Sequence, residues 1–151
     1  MAELTETEVF ELVRMALARG AAPDLHGRNL SNLGLYRVEL PGANLAGCNF
    51  SQTNLGKADL TGADLSRADL GGASLQGALL AGAKLSGAYL FQASLTGAVL
   101  RGADLRGADL HAANLREADL SDADLRDATY SEDTLWPLGF QAASAGAFKR
   151  P

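Results

Sequence analysis

Ala58-Asp59-Leu60-Thr61-Gly62-Ala63-Asp64-Leu65-Ser66-Arg67-Ala68-Asp69-Leu70 repeats itself every five residues, and that period decides the fold. Leu60, Leu65 and Leu70 recur at one position, hereafter the centre, with an Ala two residues before each and an Asp one residue before. Followed outward, the centre runs without a break in spacing from Leu25 to Leu135. It has 23 positions, of which 21 are Leu and the other two Phe50 and Tyr130. The small position is Ala fifteen times in succession from Ala58 to Ala128.

A period of five excludes the ordinary elements. In a continuous strand, residues five apart point to opposite faces, so half the centres would meet water. In an α-helix, five residues overshoot a full turn by about 140°, which would wind the leucines around the whole surface. One shared interior requires a backbone that turns a corner in every repeat, which makes a coil. A short fixed period sustained over this length is the mark of a solenoid. Glycines two residues after the centre, from Gly27 to Gly107, suit such corners because Gly tolerates the angles of tight turns.

Runs such as Ala58-Asp59-Leu60-Thr61-Gly62 and Ala103-Asp104-Leu105-Arg106-Gly107 resemble the pentapeptide-repeat family, with its A(D/N)LXX consensus. The resemblance implies an all-β solenoid, a right-handed quadrilateral β-helix with four repeats per coil, the centre and small residues inward and the rest outward. With an N-terminal α-helical cap, the expected division is a capping helix at 1–20, the repeat β-helix at 21–135, and a C-terminal cap and tail at 136–151.

The start reads as a helix from Leu4 to Gly20. Thr5 with Glu8 forms a capping box and Leu4 with Val9 a hydrophobic staple. Glu6 and Glu8 lie in the first turn and Arg14 and Arg19 towards the end, as the macrodipole favours, and Gly20 suits the position after the cap. Val9, Phe10, Val13, Ala16 and Leu17 make an apolar stripe that should close the first coil, whose end would otherwise expose core and strand edges. Residues 21–40 are irregular, with Pro23, Arg28, Leu33 and Val38 at the small position. A closed apolar core does not accept an unpaired Arg28, so that coil is expected to be open or to offer it a carboxylate or helix carbonyls.

At the other end, Thr134, Trp136, Pro137, Gly139, Phe140, Ala145, Gly146 and Ala147 resemble a tail found in many cyanobacterial members of the family. Pro137 stops strand stacking. Trp136, Leu138 and Phe140 are expected to fold over the last coil, and Lys149 to Pro151 to fray.

No catalytic constellation emerges. His26 and His111 both follow a centre and fall on different walls several coils apart, so they cannot share a metal or a nucleophile. The glycines follow the repeat instead of gathering before a helix as a phosphate loop does. Cys48 occupies the small slot, as Thr53 does, and reads as a packed residue. The expectation is a non-enzymatic protein with no cofactor, metal or catalytic residue. A net charge of −5 opposes a nucleic-acid or anionic-membrane partner held by bulk electrostatics. A single cysteine, with no signal segment or membrane span, suggests a cytoplasmic protein.

The surface carries the functional reading. The residue before the centre is Asp or Asn in most repeats, but Ser74, Leu79, Lys84, Tyr89, Ser94 and Val99 depart from it consecutively. Residues 20 apart should stack on one wall. Leu79 and Val99 then share a wall with Ala81 beside them, while Tyr89 and Phe91 share another, two walls away, with the Lys84 wall between. This mid-rod belt of Leu79, Ala81, Lys84, Tyr89, Phe91 and Val99 is the candidate surface for a protein partner or a homodimer, which a coil end could also form. From Arg101 to Leu135 nine acids face four arginines, a net of −5. The family resemblance therefore implies an alternative: quinolone-resistance members imitate duplex DNA by shape and charge and bind DNA gyrase. Those members are longer, dimerise through a C-terminal element and often carry loop insertions, and the 23-centre register has none.

Overall fold

The computed structural model describes residues 3–151. Its organising contact is a parallel bridge between residues 20 apart, formed once in every repeat: Asp59 with Leu79, Asp64 with Lys84, Asp69 with Tyr89, Ser74 with Ser94. Four repeats therefore make one coil, and the chain is a four-walled solenoid. The columns of bridged residues are Asp24, Asn44, Asp64, Lys84, Asp104 and Asp124 on the first wall, and Asn29, Asn49, Asp69, Tyr89, Asp109 and Thr129 on the second. Gly34, Asn54, Ser74, Ser94, Asn114 and Leu135 form the third, and Glu39, Asp59, Leu79, Val99 and Asp119 the fourth.

Each repeat places its backbone donors systematically, which a buried ladder requires. The centre N–H donates to the next coil (Leu60 to the Leu79 carbonyl, 2.8 Å), as does the second corner residue (Gly62 to Ala81, 2.9 Å). The residue before the centre donates to the preceding coil (Leu79 to Ala58, 2.9 Å), and the small residue closes a turn onto its own centre (Ala63 to Leu60, 3.0 Å). That turn holds its second corner residue in the left-handed region, Gly62 at φ 65° and Gly82 at φ 65°. Every centre from Leu25 to Leu125 is buried, as is nearly every alanine at the small position.

Ten corners bear the same geometry without glycine, Ala112 at φ 55° among them. An L-residue there costs roughly 1–2 kcal/mol, partly offset by the extra chain entropy of glycine when unfolded. Ala112→Gly should therefore stabilise the rod by about 0.5–1 kcal/mol, read as a higher denaturant midpoint at unchanged slope. An unchanged or lower midpoint contradicts it.

Helix α1 spans Glu6–Ala18, shorter at both ends than the sequence reading. Thr5 and Glu8 form the reciprocal capping box. At the far end Gly20 donates to Leu17 and Ala21 to Ala16, with Gly20 at φ 68°, a Schellman closure. Val9 and Val13 are buried, with Leu4 and Leu17 packed beside them. Phe10, expected in that stripe, is 40% exposed, because it sits at the stripe's edge over an open cleft with Arg37 and Glu39. Arg14 pairs with Glu11, and no basic residue lies in the last turn. The helix also serves the exposed ladder edge: Glu6 Oε1 accepts the Gly34 N–H, which in later coils would donate to a preceding coil. Arg28 is half-buried, and among the described residues its side chain makes no ion pair or hydrogen bond. The ladder around it is closed, with the Asn49 N–H bonded to the Arg28 carbonyl at 2.9 Å, and its half-exposed side chain meets solvent in place of the expected partner.

The register holds to Tyr130 and then slips by one residue. Asn114 bridges Leu135, 21 residues on. Three polar residues in the small slot mark the slip. Cys48 Sγ donates to the Leu25 carbonyl (2.9 Å) and Thr53 Oγ1 to Leu30 (2.6 Å), both 23 residues back; Thr134 Oγ1 donates to Leu110 (2.8 Å), 24 back. Thr134 is thus the small residue, Leu135 stands before the centre, and Trp136 takes the centre. The unbroken series to Leu135 is corrected accordingly. Trp136 packs edge-on to Tyr130 (5.4 Å) and stacked on Phe140 (5.2 Å). Leu138, expected in this cap, is wholly exposed at the turn in which Phe140 donates to Pro137. The last residues, expected to fray, are tied to the coil as far as Arg150: β1 (Thr129–Tyr130) pairs in parallel with β2 (Phe148–Lys149), the Arg150 N–H bonds the Tyr130 carbonyl at 2.8 Å, and Lys149 bonds Glu132 at 2.9 Å.

Candidate functional site

The Asp or Asn before each centre does structural work that the sequence reading missed. Its Oδ1 accepts the N–H of the residue after the centre, as in Asp59 to Thr61 (3.0 Å), Asp64 to Ser66 (3.0 Å) and Asp69 to Gly71 (2.9 Å). Every bridge-column Asp or Asn before a centre, from Asp24 to Asp124, makes this bond. It satisfies the one backbone N–H of the repeat that the ladder leaves over. Only a short side-chain acceptor one residue before the centre reaches back in this way.

Six consecutive repeats lack the bond: those of Ser74, Leu79, Lys84, Tyr89, Ser94 and Val99. A hydrogen bond contributes about 0.5–1.5 kcal/mol net, so the mid-rod forgoes stabilisation that its neighbours enjoy. In return it displays apolar groups. Leu79 is 43% exposed, Tyr89 43% and Phe91 37%, while Val99 and Ala81 are half-buried. Tyr89 and Phe91 stack with ring centroids 6.0 Å apart and planes 22° from parallel.

The structure does not gather the six candidates into one patch. Leu79 and Val99 belong to the fourth wall and Tyr89 to the second, on opposite sides of the rod. Ala81 and Phe91 lie at the corners that follow those walls. Lys84, on the first wall, is exposed between Asp64 and Asp104. The surface is two apolar islands at one height, divided by a charged wall.

Elsewhere a minority of the charges are paired, most of them at the C-terminal pole. Arg106 forks onto Asp104 (2.7 and 2.8 Å), Arg126 onto Asp124 (2.6 and 2.9 Å), and Arg101 reaches Asp119 (3.2 Å). Arg126 holds the Asp124 carboxyl down to about 2. His26 pairs with Asp24 and His111 with Asp109. Among the described residues, no three His, Cys, Asp or Glu side chains converge as metal ligands would. Burial pushes the Cys48 thiol up to about 11. Iodoacetamide should therefore leave the folded protein unlabelled and modify Cys48 only in step with unfolding, read by mass shift against denaturant. Fast native labelling contradicts this.

The family profile of pentapeptide repeats matches residues 24–62, 58–97 and 93–129. The chain belongs to the pentapeptide-repeat family. It is 31% identical to the crystallised pentapeptide-repeat protein alr5209 from Nostoc PCC 7120, over 99% of both chains, with a TM-score of 0.47. It is 36% identical to HetL, a pentapeptide-repeat protein involved in heterocyst differentiation regulation in Nostoc sp. PCC 7120. That match covers 70% of this chain and 58% of HetL, with a TM-score of 0.52. It is 27% identical to the Arabidopsis thaliana thylakoid-lumen protein AT2G44920, over 72% of this chain and 66% of that one, with a TM-score of 0.52. The chain thus spans less than two thirds of HetL and of AT2G44920. No curated protein sequence matches it.

Proposed function

We propose that the protein is a non-enzymatic interaction scaffold: a right-handed, square-sectioned peg, acting in the cytoplasm, that docks a protein partner at mid-rod. One observation carries this reading. The six repeats that give up the corner hydrogen bond are consecutive, and they are the ones that place Leu79, Tyr89 and Val99 on the surface. Stability alone favours Asp or Asn at each of them. Aromatic residues on a rigid support also lose little freedom on binding.

Affinity capture on the wild-type protein and on the variant carrying Leu79→Ala, Tyr89→Ser and Phe91→Ser tests it. The variant should keep its thermal midpoint within a few degrees and lose most bound partner. Equal capture by both proteins, with equal oligomeric state in sedimentation, removes the belt from function.

The alternative is a DNA mimic that binds gyrase, favoured by the acidic C-terminal pole. Pairing of Asp104, Asp119 and Asp124 with arginines weakens the negative stripe that such mimicry needs. A supercoiling assay separates the two: inhibition at micromolar protein supports the mimic, and its absence removes it.

A further inference from the structure

The aromatic island on the second wall has a charge pattern that its apolar surface does not require. Its column reads Asp69, Tyr89, Asp109, so the tyrosine stands between two aspartates, one coil to either side. Coils that pair like strands are about 4.8 Å apart, which puts the two carboxylates about 10 Å apart. Asp69 commits Oδ1 to the Gly71 N–H, and Asp109 commits Oδ1 to the backbone and ring of His111. The second oxygen of each has no protein partner among the described residues.

The rings are held in place. A Cβ at Gly71 would lie 3.1 Å from Tyr89 Cε1, so the ring rests on a corner that carries no side chain. Phe91 occupies the same corner one coil further on and stacks against it. The result is a preformed two-ring platform with a carboxylate at each end.

A second copy of this chain is a poor occupant. The opposite island, Leu79 and Val99, is bracketed by Asp59 and Asp119, so pairing either island with itself or with the other sets like charges together. Cations suit the carboxylates on either side, and an apolar side chain suits the ring faces between them. Two arginines at i and i+7 of a helix are about 10.5 Å apart along its axis, close to the spacing of Asp69 and Asp109, with the residue at i+3 or i+4 above the rings.

We propose that Tyr89, Phe91, Asp69 and Asp109 form a docking site for a basic amphipathic helix of a partner protein, with a leucine-type residue on the rings and an arginine at each aspartate. This rests on the mid-rod docking reading above and names the chemistry of its partner.

The probe is a fluorescein-labelled Ala-rich helical peptide with Arg, Leu and Arg at i, i+4 and i+7, with Gln-for-Arg and Glu-for-Arg versions beside it. Anisotropy is read against the full-length protein at low and moderate salt. The Arg peptide should bind at least about tenfold tighter than the other two. Tyr89→Ser with Phe91→Ser should weaken it by about tenfold or more. Asp69→Asn with Asp109→Asn should weaken it about three- to tenfold and flatten its salt dependence. Asn keeps the Oδ1 acceptor, so the corners still close. Asp59→Asn with Asp119→Asn, the same charge change on the opposite wall, should alter affinity by less than about twofold.

Two results overturn the proposal: no measurable binding of the Arg peptide, or equal weakening by the charge changes on both walls. If the Gln peptide binds as well as the Arg peptide and still needs Tyr89 and Phe91, the basic partner is wrong while the docking surface stands. If the triple-variant capture fails as well, both fall.

Discussion

Ala88→Leu should destabilise the rod by about 3 kcal/mol or more, at the top of the range for overpacking a core. Ala88 is 1% exposed. Its N–H bonds the Leu85 carbonyl at 3.0 Å, and its carbonyl accepts the Asp109 N–H at 2.9 Å. Its backbone is therefore pinned both along the chain and to the next coil, and cannot swing outward to relieve a clash. Ala68 and Ala108 occupy the same slot in the adjoining coils and are also fully buried, so the added methyl groups have no void to enter. The check is a denaturant titration against the parent, with Arg101→Ala as the exposed-charge control, which should move stability by less than about 1 kcal/mol. If Ala88→Leu costs no more than that control, the interior has slack at the small position.

Phe50→Ala should cost about 3–5 kcal/mol, the largest loss expected from a single truncation. Phe50 is the bulkiest fully buried side chain and sits in a column with Leu30 and Leu70. Its ladder bond to Asp69 at 2.6 Å and the turn bond it accepts from Thr53 at 3.0 Å hold the coil at its diameter, so the walls cannot collapse into the space left. Phe50→Leu restores the residue used at almost every other centre and should recover more than half of the loss. Thermal midpoints and denaturant curves of both variants decide it. A Phe50→Ala protein as stable as Phe50→Leu means that the coil can contract locally.

The five-residue period made the interior legible. It marks every centre from Leu25 to Tyr130, and Gly20, Thr5 and Glu8 mark the helix ends by well-defined capping chemistry. The slip near Thr134 was not legible, because Leu135 keeps the spacing and offers the right side chain. Thr134-Leu135-Trp136 reads equally well as small, outward and centre, and only the 21-residue bridge to Asn114 decides between them. The Asp and Asn rows looked like solvated surface. Their bond to the corner N–H depends on a left-handed turn that the glycines signal, yet the direction of the side chain is a matter of backbone geometry. For the candidate site, the six departures and their walls were legible from the repeat. It did not show that Tyr89 lies diagonally over Gly71, because that contact joins neighbouring coils and not positions within one column.

The bridge spacing of 20 residues, four repeats to a coil, makes the surface re-phasable. Excising one repeat between the helix and the belt, such as residues 61–65, would rotate all that follows by a quarter turn relative to α1 and shorten the rod by a fraction of a coil. The same aromatic pair would then face a new compass point. Excising four would restore its bearing and bring it one step nearer the helix. A family of such deletions turns the molecule into a protractor, in which the bearing and the height that a partner demands can be read separately.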